Sequence, residues 1–334
     1  MGVTLFGTSG SFVQTPLPRP LLNNAYSFLH AARPHGTFAE KACGAAAKWV
    51  DWSAMLPLRQ LAVLLPLAGL PLQAAPVLKT RGHGVSAARA AAAVANRQEY
   101  PWWKALQASV TDLQKLGAGS YSTSDAAKDA LTQAFGWDEL YKRPLFMPEK
   151  ARPSFCSGAV YMAVLSGLLK WEEGNKRRRI SPDAWKALLP RNVADGVSPW
   201  GYANANGPGF AMLVHRLGAG VNFTDWNKAR PSDIMKIWWN DAIGGSERGH
   251  LVILVKDEGD SVRVWSSHMA QDGKPGGYGL RTYRKSSIKR VLFTRITNPA
   301  AFNNAPRLKD DPWLTDLMKN NTSWEECAPR CGVK

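Results

Sequence analysis

The run Phe155-Cys156-Ser157-Gly158-Ala159-Val160-Tyr161-Met162-Ala163-Val164-Leu165 constrains this chain more than any other stretch. It is apolar with a cysteine near its head, and it follows Pro153 and Ser154, residue types that open helices. The pattern predicts a helix over about 154–171, with Cys156 in the first turn, where backbone N–H groups point outward. Such a position lowers a thiol pKa and leaves donors free for a developing oxyanion.

About a hundred residues further on, Gly249-His250-Leu-Val-Ile-Leu-Val255 reads as an apolar strand headed by a histidine. A cysteine opening a helix and a histidine opening a strand are the two halves of a thiol hydrolase. Each alone has a plainer reading, as an inert core cysteine or a structural histidine. In this order and on these elements they point to a Cys-His pair. The next strand, Ser261-Val-Arg-Val-Trp-Ser-Ser-His268, carries Ser266 and His268 on one face by the two-residue period. Either can orient the His250 imidazole. His268 is favoured because its ring reaches a neighbouring strand and still accepts a hydrogen bond, with Ser266 as the alternative.

Composition enters mainly through charge. The 334 residues provide ample core for one large domain or two modest ones. A net charge of +16 points to an anionic partner: nucleic acid, a membrane surface or an acidic cell-wall polymer. Four cysteines are too few for a disulfide scaffold, although Cys327 and Cys331 can either close one small loop or stand as free thiols. No Cys/His cluster completes a zinc set, so neither metal nor cofactor is expected.

Residues 1–54 are rich in Pro, Gly and Ala and read as an extension that is disordered or not part of the native protein. The segment 55–74 follows, with Arg59 ahead of an apolar core and small residues at its end, the layout of a secretory signal. Met55 then reads as the true start and the protein as exported. Pro66 and Pro71 interrupt the segment and it is short, so no transmembrane span is expected. Residues 1–74 carry Arg19, Arg33, Lys41, Lys48 and Arg59 against Glu40 and Asp51, so a chain without them keeps a charge of about +13.

An Ala-rich linker fills 75–100. Two helical stretches, 103–116 and 124–135, form an accessory layer within 101–150. The catalytic domain is expected over 151–300 and a tail with a short helix over 301–334. Within the domain, the basic cluster at 176–179 marks a turn, 200–209 is a polar Gly-rich loop, and 210–217 is a short helix. Strands follow at 234–239, 251–255, 261–268 and 287–296. A helix followed by successive antiparallel strands is an α+β pattern. No phosphate loop, two-histidine zinc helix or solenoid repeat is present.

Phe155-x-Cys-Ser-Gly-Ala-Val resembles the nucleophile motif of the NlpC-type cell-wall peptidases, papain-like proteins related to the CHAP amidases. Ala229-Arg-Pro231-Ser-Asp233-Ile234 is similar to their Pro-Gly-Asp-Leu turn, and Gly249-His250-Leu-Val resembles their Gly-His-Val strand. The matches keep the family's order over 154–296. The chain departs at Phe155, where Asp is common, and at Ser232, where Gly is; it also lacks the Tyr-x-x-Gly-Gly stretch and has a long insert before Pro231. The resemblance implies a papain-like fold, a nucleophile helix on an antiparallel sheet, and hydrolysis of amide bonds in peptidoglycan peptides by Cys156, His250 and a polar residue, commonly His or Asn. It thereby favours His268 and a peptidoglycan or other anionic wall polymer as partner. A catalytically silent wall-binding module on the same fold is the main alternative. A nucleic-acid-binding protein is less expected, because the basic residues are dispersed and no recognition motif is present.

The signal-like segment generates a direct prediction. The protein taken from its host has an N-terminus close to Ala75, read by intact-mass analysis. An intact Met1 or Met55 in a cytoplasmic fraction contradicts export.

Overall fold

Two properties of the sequence decide the architecture: one helix with no polar side, and strands with no polar face. The computed structural model describes residues 99–191 and 193–333. The expected extension, the signal-like segment and all but the last two residues of the linker lie outside the described residues. The described residues belong to one unit, Lys79–Lys334.

The order begins with helices α1 (Trp102–Lys115) and α2 (Asp125–Gln133) and a hairpin of β1 (Phe135–Asp138) and β2 (Arg143–Phe146). Helices α3 (Cys156–Gly174), α4 (Pro182–Leu188), α5 (Ser198–Asn204) and α6 (Gly209–Leu217) follow. Then come β3 (Gly220–Phe223), β4 (Ile234–Trp238), β5 (Ile243–Gly244), β6 (Gly249–Asp257), β7 (Ser261–His268), β8 (Gly277–Arg284) and β9 (Arg290–Ile296). The tail adds α7 (Pro312–Asp316), β10 (Asn321–Thr322) and α8 (Trp324–Arg330). The fold is mixed α+β with antiparallel sheets, the largest ordered β3-β9-β4-β6-β7-β8. Among the described residues no helix is long and apolar enough to cross a membrane.

Helix α3 is buried along nearly its whole length, from Gly158 through Leu168 and again at Trp171. An all-apolar helix is stable only when covered on every side. On one flank lies α1, where Trp102 and Leu106 press on Gly167 and the Ser109 hydroxyl donates to the Ala163 carbonyl at 2.9 Å. On another lies the large sheet, through Leu251, Ile253 and Trp265. The alternate residues Val252, Leu254, Val262 and Val264 join a second core on the opposite face, with Met235, Ile237 and Phe293. Both faces being covered explains why β6 reads as a continuous apolar run and not as an alternating one.

Several boundaries differ from expectation. Helix α3 starts at Cys156 itself, with Phe155 as N-cap, because Ser154 is drawn into contacts elsewhere. Phe135, expected to end a helix, opens β1, where it packs against Phe146. The first half of the expected 200–209 loop is α5.

The Pro231-Ser232-Asp233 turn has a clear physical role. Asp233 is buried and takes both prongs of the Arg295 guanidinium, at 2.8 and 2.7 Å, pinning the start of β4 to β9. Ser232 sits at φ +78°, the left-handed region that favours glycine. Urea unfolding therefore tests two substitutions. Asp233→Ala loses roughly 3 kcal/mol by leaving Arg295 without its partner, and Ser232→Gly gains roughly 0.5–1 kcal/mol by relieving the backbone. Unchanged midpoints for both contradict this account of the turn.

Candidate active site

Cys156 stands at the first position of α3, partly exposed. No side chain caps this helix end, so its leading N–H groups are free of intramolecular side-chain acceptors. The end is held from outside instead. Ser154 exchanges backbone hydrogen bonds with Ser120 and Ser122, each at 2.9 Å, and its hydroxyl meets that of Ser267 at 2.8 Å. The same pairing bridges Tyr121 to Ser154 and sets the Tyr121 hydroxyl beside the Cys156 thiol. Burial, with Cys156 adding to it, raises the Tyr121 pKa well above the usual phenol value, so the hydroxyl stays protonated and able to donate.

His250 and His268 lie side by side on β6 and β7, His250 Nε2 to His268 Nδ1 at 3.0 Å. Both are buried. The second His268 nitrogen, Nε2, lies 3.1 Å from the Gly279 carbonyl oxygen on β8. That contact fixes both tautomers. A carbonyl only accepts, so His268 carries its proton on Nε2 and accepts on Nδ1. His250 must then donate from Nε2, which leaves His250 Nδ1 deprotonated, with its lone pair available. The Tyr283 hydroxyl reaches the same His268 Nδ1 at 3.2 Å, and Trp239 stacks on the His250 ring at a centroid distance of 5.8 Å.

Electrostatics hold the pair neutral. Burial, then His268 and Lys236, pushes His250 well below the ordinary imidazole pKa. Burial, then the Arg281 charge, pushes His268 down to about 4 against the opposing pull of the Gly279 carbonyl. Cys156 lies close enough to this cluster to raise the Tyr283 pKa, which burial chiefly drives up to about 12. Among the described residues no hydrogen bond joins Cys156 to His250. Neither histidine lines the cavity at Cys156, and by the two-residue period His250 shares its strand face with Val252 and Leu254, opposite Leu251 and Ile253.

The structure thus brings His268, and not Ser266, to His250. Ser266 is fully buried and donates to the Leu251 carbonyl at 2.7 Å, so its hydroxyl is committed to the backbone. The 204–206 loop does not reach the histidines either. Asn204 bridges the Ser157 hydroxyl at 2.9 Å and Asp195 at 2.8 Å, while Asn206 donates to the Gly244 carbonyl at 3.3 Å.

Cys156 borders a cavity of about 580 Å³ between α3, α5 and the sheet, whose far wall includes Lys236, Glu247, Gly249 and Leu251. Glu247 is a buried anchor of that wall. It pairs with Lys236 and accepts from Trp238 Nε1 at 2.8 Å, Gly207 N at 2.9 Å and Gly244 N at 3.1 Å. Tyr121, Asp195, Glu247 and Gly279 did not emerge from sequence reasoning. Tyr121 sits in a Gly- and Ser-rich stretch without periodicity, and Gly279 acts through its carbonyl, which any residue possesses. Cys327 and Cys331 are buried free thiols on or next to α8, and contact with Cys327 raises the Cys331 pKa. Among the described residues no group of three or more His, Cys, Asp and Glu side chains is arranged to hold a metal.

The histidine shifts set a pH dependence. A histidine whose folded pKa lies below its unfolded value binds fewer protons when folded, so stability falls as pH drops through that window. For His268 the window runs from 6.5 down to about 4. Asp195, raised to about 6 by burial, acts oppositely, removing stability as pH rises from 3.8. The comparison must therefore be with a variant. Between neutral pH and the lower end of the His268 window, His268→Gln loses roughly 2 kcal/mol less stability than the parent in urea titrations. Equal losses contradict the neutral pair.

Comparison with protein-family models, with curated proteins and with solved structures finds no match to this chain.

Proposed function

We propose that this protein is an exported thiol hydrolase of papain-like design, with the helices in 101–150 as an added layer, that cleaves amide bonds in peptidoglycan stem peptides. Cys156 is the nucleophile, His250 the base and His268 the orienter. The observation that carries this reading is the His250–His268 contact at 3.0 Å with the Gly279 carbonyl behind it. It leaves His250 Nδ1 as the atom able to take a proton. An uncapped helix start bearing Cys156 at the edge of the cavity supports the same reading.

In the proposed reaction, His250 Nδ1 takes the proton from Cys156 Sγ, and the thiolate attacks the amide carbonyl carbon. The resulting oxyanion is met by the free N–H groups at the start of α3 and by the Tyr121 hydroxyl. Collapse breaks the C–N bond, and the His250 imidazolium returns its proton to the departing amine. Water then attacks the thioester as His250 takes its proton, releasing a carboxylic acid and restoring the thiol. His268 keeps the His250 ring in the productive tautomer and does not itself carry the transferred proton. The charge of about +13 that remains without residues 1–74 suits an anionic wall polymer.

Mass spectrometry of purified peptidoglycan after digestion tests the proposal. Cys156→Ala and His250→Ala each lower product release by at least about 1000-fold, and His268→Ala by roughly 10- to 1000-fold. Ser266→Ala is nearly silent by comparison. Wild-type hydrolysis by Cys156→Ala overturns the enzyme reading. Binding of the wall with no product from the parent protein favours the silent module.

A further inference from the structure

The basic run at 176–179 has no part in the chemistry proposed above, and the fold brings further cations to it. The run joins α3 to α4 and meets the β1–β2 hairpin at a second cavity, of about 480 Å³. Lys142 and Arg143 from the hairpin line this cavity together with Lys176, Arg177 and Arg178. The last three are exposed, and among the described residues their side chains make no ion pair. Lys142 meets Glu139 at 2.6 Å and Arg143 lies 3.8 Å from Glu173. Both carboxylates are largely exposed, and surface pairs of this kind exchange partners at little cost. Glu172, the other carboxylate at the cavity, is buried and commits its Oε1 to the backbone N–H groups of Arg179 and Ile180. Like charges gathered around one hollow repel one another, and an anion in it relieves the repulsion.

The hairpin tip adds a second, independent feature. Tight turns ordinarily carry Gly, Pro, Asn, Asp or Ser, yet this one presents Leu140 and Tyr141, 81% and 52% exposed. Asp138 Oδ1 holds the turn in shape by accepting from both Leu140 N and Tyr141 N at 2.9 Å. Leu145, also exposed, shares a strand face with Arg143 by the two-residue period. A single exposed leucine means little. Two leucines and a tyrosine on one short hairpin, beside cations that line a hollow, suit a surface that presents acyl chains and phosphates together. The leucines have the acyl boundary, the tyrosine the headgroup layer, and the cations the phosphates. A soluble polyanion would engage the cations alone.

We propose that this face docks on an anionic lipid surface, with Leu140 and Tyr141 set into the headgroup layer and lipid phosphates taken up by the cations around the cavity. The contact is peripheral, and it does not depend on the hydrolase reading.

Sedimentation with vesicles tests it. The protein as isolated from its host is mixed with vesicles of equal parts phosphatidylglycerol and phosphatidylcholine, or of phosphatidylcholine alone. It binds the anionic vesicles at least about 10-fold more tightly than the neutral ones. Lys176→Gln, Arg177→Gln and Arg178→Gln together weaken that binding roughly 100-fold. Leu140→Ser with Tyr141→Ser, all charges kept, weakens it at least about 5-fold. All five positions are exposed, so the substitutions leave the core untouched. Equal binding to the two kinds of vesicle, binding to neither, or binding that either variant leaves unchanged overturns the inference. If only the charge variant binds less, the face takes a soluble polyanion and not a lipid surface. No readout here needs turnover. Hydrolysis of peptidoglycan by a protein that ignores the vesicles overturns this inference alone, and vesicle binding without hydrolysis overturns the hydrolase reading alone.

Discussion

A helix that is apolar around its whole circumference has to be wrapped, and the rest of this molecule is arranged as the wrapping of α3. Helix α1 covers one side, with Trp102 and Leu106 seated against Gly167. The sheet covers another through Leu251, Ile253 and Trp265, and Trp185 and Trp200 from α4 and α5 complete the same core. The first turn escapes full enclosure. There Cys156 stays partly exposed at the cavity, next to N–H groups that no side chain caps. Burial of the helix body and openness of its head follow from the same packing.

The second constraint is the two-faced sheet. Because β6 is covered on both faces, a histidine at its head is carried into a desolvated position, where the neutral imidazole is favoured. Neutrality alone would leave the tautomer open. The Gly279 carbonyl closes it by demanding a donor from His268, which in turn demands a donor from His250. The neighbouring Gly277 shows how β8 is set in place. Its φ is +105°, and a side chain there would collide with the Ala118 carbonyl. The segment pressing on Gly277 is the one that carries Tyr121, so the backbone that orients the histidines is packed against the loop flanking the thiol.

Much of this was legible in the sequence, and the rest was hidden for physical reasons. Helix α3 and strands β6 and β7 declare themselves by long uninterrupted patterns, and His268 was favoured over Ser266 by the reach of its ring and by the family resemblance. Strand β8 was missed because Gly277 and Gly279 dilute its β pattern; those glycines answer to close packing that only the folded chain contains. Helix α5 was read as a loop because Pro199, Gly201 and Asn204 are turn formers, yet tertiary contacts such as the Tyr202 hydroxyl on the Lys309 carbonyl, at 2.8 Å, hold it helical. Tyr121 belongs to no motif. Its importance lies in what it is left facing, which sequence spacing does not encode.

The central claim is that Cys156 and His250 act as one unit. The rate of Cys156 alkylation by iodoacetamide across pH, followed on its own peptide by mass spectrometry, tests it most directly. The account predicts that the parent protein is alkylated at least about 10-fold faster than His250→Ala at neutral pH. Equal rates in the two proteins would contradict it.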